Sequence, residues 1–329
     1  MTYGDFCRLP VMTKAMIQAT PDLFRSAGFA IDELLVEYTS GSTGVPFRSY
    51  KTVRDVNAST LALWGARRRL APGVVGTRGA AFYAFREQKE RLVTSSVHVS
   101  GEMLYLSLFH MKDKLFEQYW KALIEFQPNW IVGTPTAVSQ LADYAVRKKR
   151  SELGRVQIQL TEIGGEIAFP GQYRVIREAF GCPVSMHYGA RELWPIAYSC
   201  KHGSLHIVDH HVFVEVLRPD GTPCLRDERG HVHVTSLRYE GAPLIRYDLG
   251  DLARLSPNPC GCGHSAPVLL LDGGRAAQYI VRRDGSEVSP VILFFISKKL
   301  FGRDRLGGRR GGRGGVCQPG VPGRLAGSG

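Results

Sequence analysis

The chain has 329 residues, of which 44% are hydrophobic and 22% charged, and its formal net charge is +12 at pH 7. This composition excludes an intrinsically disordered protein, and the length suits one large domain or two ordinary ones. The positive charge raises nucleic acid as a partner. Because no RNA-binding signature with interleaved aromatic residues accompanies that charge, we do not expect nucleic acid to be a partner.

The N-terminal segment differs from a secretory signal, because Asp5 and Arg8 stand where an apolar run would be needed. The apolar stretches at 268–271 and 290–296 fall well short of the roughly 18 residues of a membrane-spanning helix. Seven cysteines in a chain of this length without a signal favour reduced thiols. We therefore expect a cytoplasmic protein with no membrane partner.

Strands and helices alternate along the first 204 residues. The sequence predicts strands at 34–38, 130–132, 156–163 and 184–187, a helix over about 102–126, and further helices that begin at Thr52, Thr134 and Pro170. A polar or glycine-rich loop follows each strand, namely Thr39–Gly44, Gly133–Thr136, Gly164–Glu166 and Tyr188–Glu192. This order predicts an α/β fold with a parallel sheet, whose carboxyl edge gathers the four loops into a ligand site.

From about Leu205 the pattern changes to alternating apolar and polar residues. It predicts antiparallel strands near 211–217, 231–237 and 244–247, with turns such as Pro219-Asp220-Gly221 between them. Residues 301–329 hold eleven glycines and six arginines, which predicts a disordered tail. An RNA-binding tail is one interpretation of that segment, and an out-of-frame or artificial terminus is the one we prefer. The predicted units are an α/β core at 1–204, a β-rich subdomain with a hinge region at 205–300, and the tail.

The most informative motif is the segment Thr39-Ser40-Gly41-Ser42-Thr43-Gly44. Its hydroxyl and backbone N–H groups can donate hydrogen bonds to phosphate oxygens, and its glycines allow the backbone to approach a ligand closely. It is not a Walker loop, because Val45 follows Gly44 where that motif has lysine. A plain surface loop is the alternative for such a segment taken alone.

Thr39–Pro46 resembles the phosphate loop of the adenylate-forming superfamily of acyl-CoA synthetases and ligases, and more closely that of the branch of phenylacetate-CoA ligases and CapK-type capsule-biosynthesis proteins. His187–Glu192 resembles the family's aromatic-Gly-x-x-Glu segment, Arg246–Asp251 its Arg-Tyr-x-x-Gly-Asp segment, and Gly274-Arg275 the start of its hinge. The similarity spans about 34–290. It implies the family's large domain, with mixed sheets flanked by helices and a β-rich subdomain.

The resemblance implies a two-step reaction in which a small-molecule carboxylate attacks the α-phosphorus of ATP, and a thiol such as coenzyme A then displaces AMP. The implied cofactors are ATP, Mg²⁺ and coenzyme A. The implied nucleotide-binding residues are Thr39, Ser40, Gly41, Ser42, Thr43 and Gly44 at the phosphates, Gly165, Glu166, His187, Tyr188 and Gly189 around adenine, Asp251 at the ribose, and Arg275 in the hinge. Glu192, as the Mg²⁺ ligand, and Thr43 are the implied catalytic residues.

The sequence departs from the family pattern in two places. Arg275 is followed by Ala276-Ala277-Gln278, so the usual hinge aspartate is missing, and nothing after Leu300 resembles the small C-terminal domain with its lysine. We therefore expect a chain cut at both ends and impaired in complete acyl-CoA synthesis. A non-catalytic nucleotide-binding or scaffold protein of capsule biosynthesis is the alternative function. A homodimer is one of the oligomeric states that the sequence allows.

Four residues form a candidate structural Zn²⁺ site: Cys200, His206, Cys260 and Cys262. Three thiolates and one imidazole are a closed tetrahedral set of the kind that zinc takes in structural sites. The single residue between Cys260 and Cys262 is a tighter spacing than usual, so a glycine-rich turn with two incidental thiols is the alternative. The two segments also resemble segments typical of the phenylacetate-CoA ligase branch. His264 is the second choice for the imidazole.

Overall fold

The structure is a computed structural model, and it describes residues 2–38, 48–83, 96–108, 111, 113–275, 280–281 and 287–288. Its helices are α1 (Tyr3–Cys7), α2 (Lys14–Ala19), α3 (Val53–Leu70), α4 (Asp113–Phe126), α5 (Pro135–Lys148) and α6 (Pro170–Phe180). Its first eight strands are β1 (Leu35–Tyr38), β2 (Arg48–Lys51), β3 (Gly79–Tyr83), β4 (Val97–Ser100), β5 (Met103–Ser107), β6 (Trp130–Gly133), β7 (Leu160–Gly164) and β8 (Val184–Ala190). The others are β9 (Trp194–Ser199), β10 (Leu205–Ile207), β11 (Val212–Leu217), β12 (Gly230–Ser236), β13 (Tyr247–Leu255), β14 (Val268–Arg275), β15 (Ile280–Val281) and β16 (Glu287–Val288).

A mixed sheet of twelve strands organises these elements, in the order β11-β12-β13-β14-β10-β9-β8-β7-β6-β3-β5-β4. The strands from β8 to β5 in this order are parallel, and all other neighbours are antiparallel. Helices α4, α5 and α6 cover one face of the parallel half with a large apolar core that includes Trp120, Leu141 and Ile163. Helix α3 covers the other face, against Trp130 and Tyr198. The predicted α/β class with a mixed sheet flanked by helices is confirmed.

Three of the four predicted loops lie at one edge of this sheet. The predicted loops at 133–136 and 164–166 begin at the last residues of β6 and β7, whereas residues 188–190 of the predicted loop at 188–192 still belong to β8. Strands β6, β7 and β8 are adjacent and parallel, with Gly133 opposite Ile163 and Gly164 opposite His187. The strand that precedes Thr39–Gly44 does not belong to the sheet, because β1 pairs with β2 in a separate antiparallel ribbon. The prediction of four loops on one parallel sheet is therefore wrong for the first loop.

The predicted helix over 102–126 is also wrong in its first part. Residues 103–107 form β5, which pairs with β3 and β4, and the helix begins at Asp113. Leu104 and Leu106 are buried on one face of β5, so the segment follows the two-residue period of a strand. Strand β10 begins at residue 205 and pairs with both β9 and β14, so one sheet continues across residues 204 and 205, where the sequence places a boundary between two units. The division into two units stays a prediction.

No helix within the described residues is both long enough and apolar enough to span a membrane.

Helix α3 begins as the sequence predicts. The Asp55 amide donates to Thr52 Oγ1 at 3.1 Å, and the Thr52 amide donates to Asp55 Oδ2 at 2.9 Å. Asp55 is fully buried and also accepts hydrogen bonds from the amides of Glu240 and Gly241, at 2.8 and 3.1 Å. A helix-capping residue thereby joins α3 to the segment between β12 and β13.

We expect Asp55→Ala to lower the free energy of unfolding by about 3 kcal/mol, because the variant leaves buried N–H groups without an acceptor. Urea titration followed by circular dichroism measures the change. Asp113→Ala is the matched control, since Asp113 also opens a helix but is exposed, with Arg147 3.9 Å away. Its cost should stay below about 1 kcal/mol. Equal losses in the two variants would contradict this role of Asp55.

Candidate active site and metal centre

Two of the predicted nucleotide-binding residues contact each other at the carboxyl end of β8. The Tyr188 hydroxyl donates to Asp251 Oδ2 at 2.8 Å, although the two residues are far apart in the chain and lie on β8 and β13. Both side chains are partly exposed. The structure therefore places the residue expected at adenine beside the residue expected at the ribose.

Glu192 lies in the turn between β8 and β9, and its side chain is buried. Its Oε1 accepts a hydrogen bond from the Tyr247 hydroxyl at 2.9 Å. Tyr247 is itself almost completely buried at the start of β13. The other carboxylate oxygen, Oε2, has no hydrogen-bond partner in the part of the chain that the structure describes, so it is available to a cation.

The loops after β6 and β7 also meet. Gly165 takes a left-handed conformation, with φ at +77°, which glycine adopts without steric cost. Glu166 Oε2 then accepts a hydrogen bond from the Thr136 amide at 3.3 Å, at the N-terminus of α5. A carboxylate is stabilised in that position by the helix dipole. The predicted loops after β6 and β7 are thus joined at this edge of the sheet.

Gly189 has a packing reason to be glycine. A Cβ atom at this position would lie 2.0 Å from the Trp194 carbonyl oxygen and 3.0 Å from His187 Nε2. The two strands of the β8–β9 hairpin approach closely here, at a shift in their register between Tyr188 and Gly189. Trp194 adopts a left-handed φ of +58°, which is uncommon for a residue with a side chain. The glycine therefore allows the hairpin to turn the backbone toward Glu192.

The structure places His187 beside the buried Glu162 rather than beside the Tyr188–Asp251 pair. His187 Nδ1 lies 3.4 Å from Glu162 Oε1. The same carboxylate accepts hydrogen bonds from Arg67 Nε and Nη2, at 2.7 and 3.0 Å, and from the Tyr198 hydroxyl at 2.8 Å. Burial opposes ionisation of Glu162, but Arg67 and His187 hold its pKa well below the usual range. His187 supports a buried ion pair at the floor of the site.

The remaining predicted nucleotide residues are described incompletely. Thr39, Ser40, Gly41, Ser42, Thr43 and Gly44 lie outside the described residues. Arg275 is the last residue of β14, where its backbone lies opposite Asp251.

Tyr247 is the site residue to which sequence reasoning assigned no role. It stands within the Arg246–Asp251 motif, but no local signal shows that its hydroxyl reaches Glu192.

The four predicted zinc ligands lie together at the other end of the antiparallel strands. The ligand atoms of Cys200, His206, Cys260 and Cys262 are all within 4.8 Å of one another. The Sγ atoms of Cys200 and Cys260 are 3.7 Å apart, and Cys262 Sγ is 3.3 Å from His206 Nε2. Cys200 directly follows β9, His206 is in β10, and the other two residues lie between β13 and β14.

The orientation of His206 suits a metal ligand. Its Nδ1 is 2.8 Å from the Ala266 carbonyl oxygen and therefore donates, which leaves Nε2 unprotonated toward the cysteines. Hydrogen bonds, above all from Ser204, lower the pKa of the Cys260 thiol to about 5. His264 lies outside this set, because its Nδ1 accepts from the Ala266 amide and its Nε2 contacts Arg69. The structure thus brings His206, the first choice, into the cluster.

A sequence-family model described as "AMP-binding enzyme" matches residues 30–236. Protein CapK of Staphylococcus aureus is 23% identical over 228 residues, which cover 63% of this chain and 46% of CapK. The chain therefore spans about half the length of this curated relative.

Solved structures of similar fold include a 2-hydroxyisobutyryl-CoA ligase in two states. The structure in complex with R3-HIB-AMP has a TM-score of 0.68 at 19% identity, over 91% of this chain and 64% of the ligase. An open conformation in complex with 2-HIB-AMP and CoA has a TM-score of 0.67 at 19% identity, over 92% and 72%. The anthranilate CoA ligase AuaEII in complex with anthranoyl-AMP has a TM-score of 0.55 at 15% identity, over 80% and 52%. At these identities the likeness concerns the fold.

We expect Gly189→Ala to destabilise the chain by about 2 kcal/mol or more, because the new methyl group meets the Trp194 carbonyl and the hairpin must shift. Thermal unfolding and Trp fluorescence measure the effect. Gly171→Ala in α6 is the matched control, since a Cβ there meets no atom within 4 Å, and it should be neutral or slightly stabilising. An unchanged stability in Gly189→Ala would refute the packing argument.

Proposed function

The chain belongs to the AMP-binding enzyme family, and on that basis we propose that it activates a carboxylic acid with ATP to an acyl-adenylate and transfers the acyl group to a thiol such as coenzyme A. The observation that carries the proposal is the assembly of Tyr188, Asp251, Glu192 and Tyr247 at the carboxyl edge of the sheet. In open α/β sheets this edge is where ligands bind.

In the first step, a carboxylate oxygen of the acid attacks the α-phosphorus of ATP, and pyrophosphate leaves. Tyr188 stacks on adenine, and Asp251, held by the Tyr188 hydroxyl, accepts hydrogen bonds from the ribose hydroxyls. Glu192 offers the oxygen that Tyr247 leaves uncovered to Mg²⁺, an ion that prefers one or two carboxylates together with phosphate oxygens. When bound, Mg²⁺ neutralises charge that develops on the phosphates.

In the second step, the sulfur of coenzyme A attacks the acyl carbonyl carbon, and AMP leaves with the pair of electrons of the acyl–oxygen bond. The complexes of the 2-hydroxyisobutyryl-CoA ligase with 2-HIB-AMP and CoA support this assignment for a chain of the same fold. The AuaEII complex with anthranoyl-AMP supports the acyl-adenylate. We propose that the chain belongs to the phenylacetate-CoA ligase branch, because the segments around Cys200 and Cys260 resemble segments of that branch. We also propose that it works in the cytoplasm.

The decisive experiment is ATP–pyrophosphate exchange by the 329-residue chain with a panel of aryl and alkyl carboxylic acids. We expect exchange with at least one acid and a loss of about 100-fold in Glu192→Gln, which keeps the hydrogen bond to Tyr247 but removes the charge. Glu178→Gln on α6 is the control, because Glu178 is exposed and its ion pair, with Arg150 at 3.5 Å, is formed with another surface residue. Exchange that is insensitive to Glu192→Gln would contradict its assigned role.

A non-catalytic nucleotide-binding protein is the second candidate, favoured by the alanines that follow Arg275, where the family pattern has its hinge aspartate. The two functions differ in turnover rather than in nucleotide binding. Stabilisation by Mg·ATP in thermal unfolding, together with no exchange for any acid, would support this alternative.

We also propose that Cys200, His206, Cys260 and Cys262 hold a structural Zn²⁺. The support is geometric, because a tetrahedron with metal–ligand distances of about 2.0–2.3 Å has edges of about 3.3–3.8 Å. The separations of 3.7 Å between the Sγ atoms of Cys200 and Cys260 and of 3.3 Å between Cys262 Sγ and His206 Nε2 match such edges, and all four ligand atoms lie within 4.8 Å of one another. The set is closed, so it leaves no position for a substrate. Its effect is to fasten the segment after β9 to the connection between β13 and β14.

Protein purified without chelator should contain about one zinc per chain by elemental analysis, and the double variant Cys260→Ala/Cys262→Ala should contain none. The melting temperature should fall in the double variant and, for the wild type, on treatment with a strong chelator. Cys224→Ala is the control, because Cys224 lies outside the cluster, and it should keep the metal. A metal-free wild type with an unaltered melting temperature would refute the zinc site.

A further inference from the structure

Lys51, the last residue of β2, is completely buried. Its Nζ donates to Glu37 Oε2 at 2.6 Å and to the Arg191 carbonyl oxygen at 2.8 Å. The ammonium group also lies over the rings of Trp194 and Tyr239, at 5.1 and 5.5 Å from their centroids. A buried charge is costly unless it is paired and hydrogen-bonded, so these contacts account for a lysine in the interior.

The contacts of Lys51 join two parts of the structure that are far apart in the chain. Glu37 and Lys51 lie on the two strands of the β1–β2 ribbon, whereas Arg191 is in the turn between β8 and β9. The Trp194 indole N–H strengthens the same connection, since it donates to Glu37 Oε2 at 3.1 Å. The ribbon and the β8–β9 turn are therefore fastened by one partly buried carboxylate and one fully buried ammonium.

The residue after Arg191 is Glu192, whose carboxylate is held by Tyr247 from the other side. The backbone of the turn is thus fixed through the Arg191 carbonyl, and the side chain through Oε1. The charge of Lys51 also acts on Glu192, and Glu192 is one of the groups that raise the pKa of Lys51 against the lowering effect of burial.

We propose that Lys51 is a positioning residue for the metal-binding carboxylate: through the Arg191 carbonyl it sets the place of Glu192, and through its pairing with Glu37 it keeps that second carboxylate from competing for the cation. The inference rests on the proposed function, because Glu192 is taken as the Mg²⁺ ligand. Groups that orient a metal ligand commonly affect metal affinity by about 10- to 100-fold without touching the metal.

The proposal distinguishes Mg²⁺ and ATP from the acid. If Lys51 acts through Glu192, its loss weakens Mg²⁺-dependent ATP binding and lowers kcat, but it leaves the KM of the carboxylic acid nearly unchanged. A purely structural role would instead change stability and disturb all kinetic constants together. The separation of these constants is therefore the informative readout.

Lys51→Met alone leaves Glu37 partly buried without its partner and can fail to fold. The main variant is therefore Lys51→Met/Glu37→Gln, in which both charges are removed and a glutamine oxygen can still accept from the Trp194 indole. Lys51→Arg keeps the charge and serves as the conservative variant. The matched control is Arg218→Met/Glu228→Gln, which removes an ion pair of 2.6 Å near the turn between β11 and β12, away from Glu192.

The experiment measures the Mg²⁺ concentration for half-maximal pyrophosphate exchange, the KM values of ATP and of the acid, and Mg·ATP binding by calorimetry. We expect the main variant to raise the Mg²⁺ requirement by about 10-fold or more with the KM of the acid within about twofold. Lys51→Arg should recover part of the loss, and the control pair should leave the Mg²⁺ requirement unchanged.

A wild type that is active, with a Mg²⁺ requirement that does not change in Lys51→Met/Glu37→Gln, would overturn this inference and leave the proposed function standing. A uniform loss of stability and of all kinetic constants, without recovery in Lys51→Arg, would overturn it as well. A wild type that binds no Mg·ATP would overturn the proposed function, and this inference with it.

Discussion

The close approach of the Gly189 backbone to the Trp194 carbonyl is the constraint on which the site depends. Strand β8 pairs in parallel with β7 and antiparallel with β9, so it is the strand at which the parallel half of the sheet joins the antiparallel strands β9 to β14. Its carboxyl end must contribute to the same edge of the sheet as β6 and β7 and must also turn back at once into β9. Only a residue without a side chain fits at the point of contact, because a Cβ atom would lie 2.0 Å from the Trp194 oxygen.

Around this strand, buried charges hold the elements in place. On one side, the Arg67–Glu162 pair joins α3 to β7, and the guanidinium carbon lies over the rings of Trp64 and Trp130, 4.7 and 4.5 Å from their centroids. On the other side, Lys51 and Glu37 join the ribbon to the turn. Buried pairs contribute little net stability after desolvation, but loss of one partner is costly. Their effect is to specify one arrangement of the elements, which is what a site built from distant segments requires.

Local patterns in the sequence predict much of the fold and part of the site. The Thr52 cap and the strand–loop–helix order of β6–α5 and β7–α6 depend on residues close in the chain, and the structure confirms them. The helix predicted over 102–126 fails because apolar residues from β5 and α4 follow each other with a short gap, and periodicity alone does not separate them. Lys51 and Tyr247 could not be found in this way, since their partners lie 140 and 55 residues away.

The position of the cysteine–histidine cluster implies that the proposed Zn²⁺ would act on stability and not on the reaction. In the β13–β14 pair, Asp251 lies opposite Arg275, and Leu255 lies opposite Leu269 at the end nearest the cluster. Four residues of strand separate Asp251 from Leu255, which is about 13 Å. A metal at the cluster therefore fixes one end of this hairpin and one end of β9, while the opposite end of the hairpin carries Asp251 and Tyr247 toward β8. The two candidate sites share strands but not ligands, so the proposed metal would hold in register the strands from which the candidate active site is built.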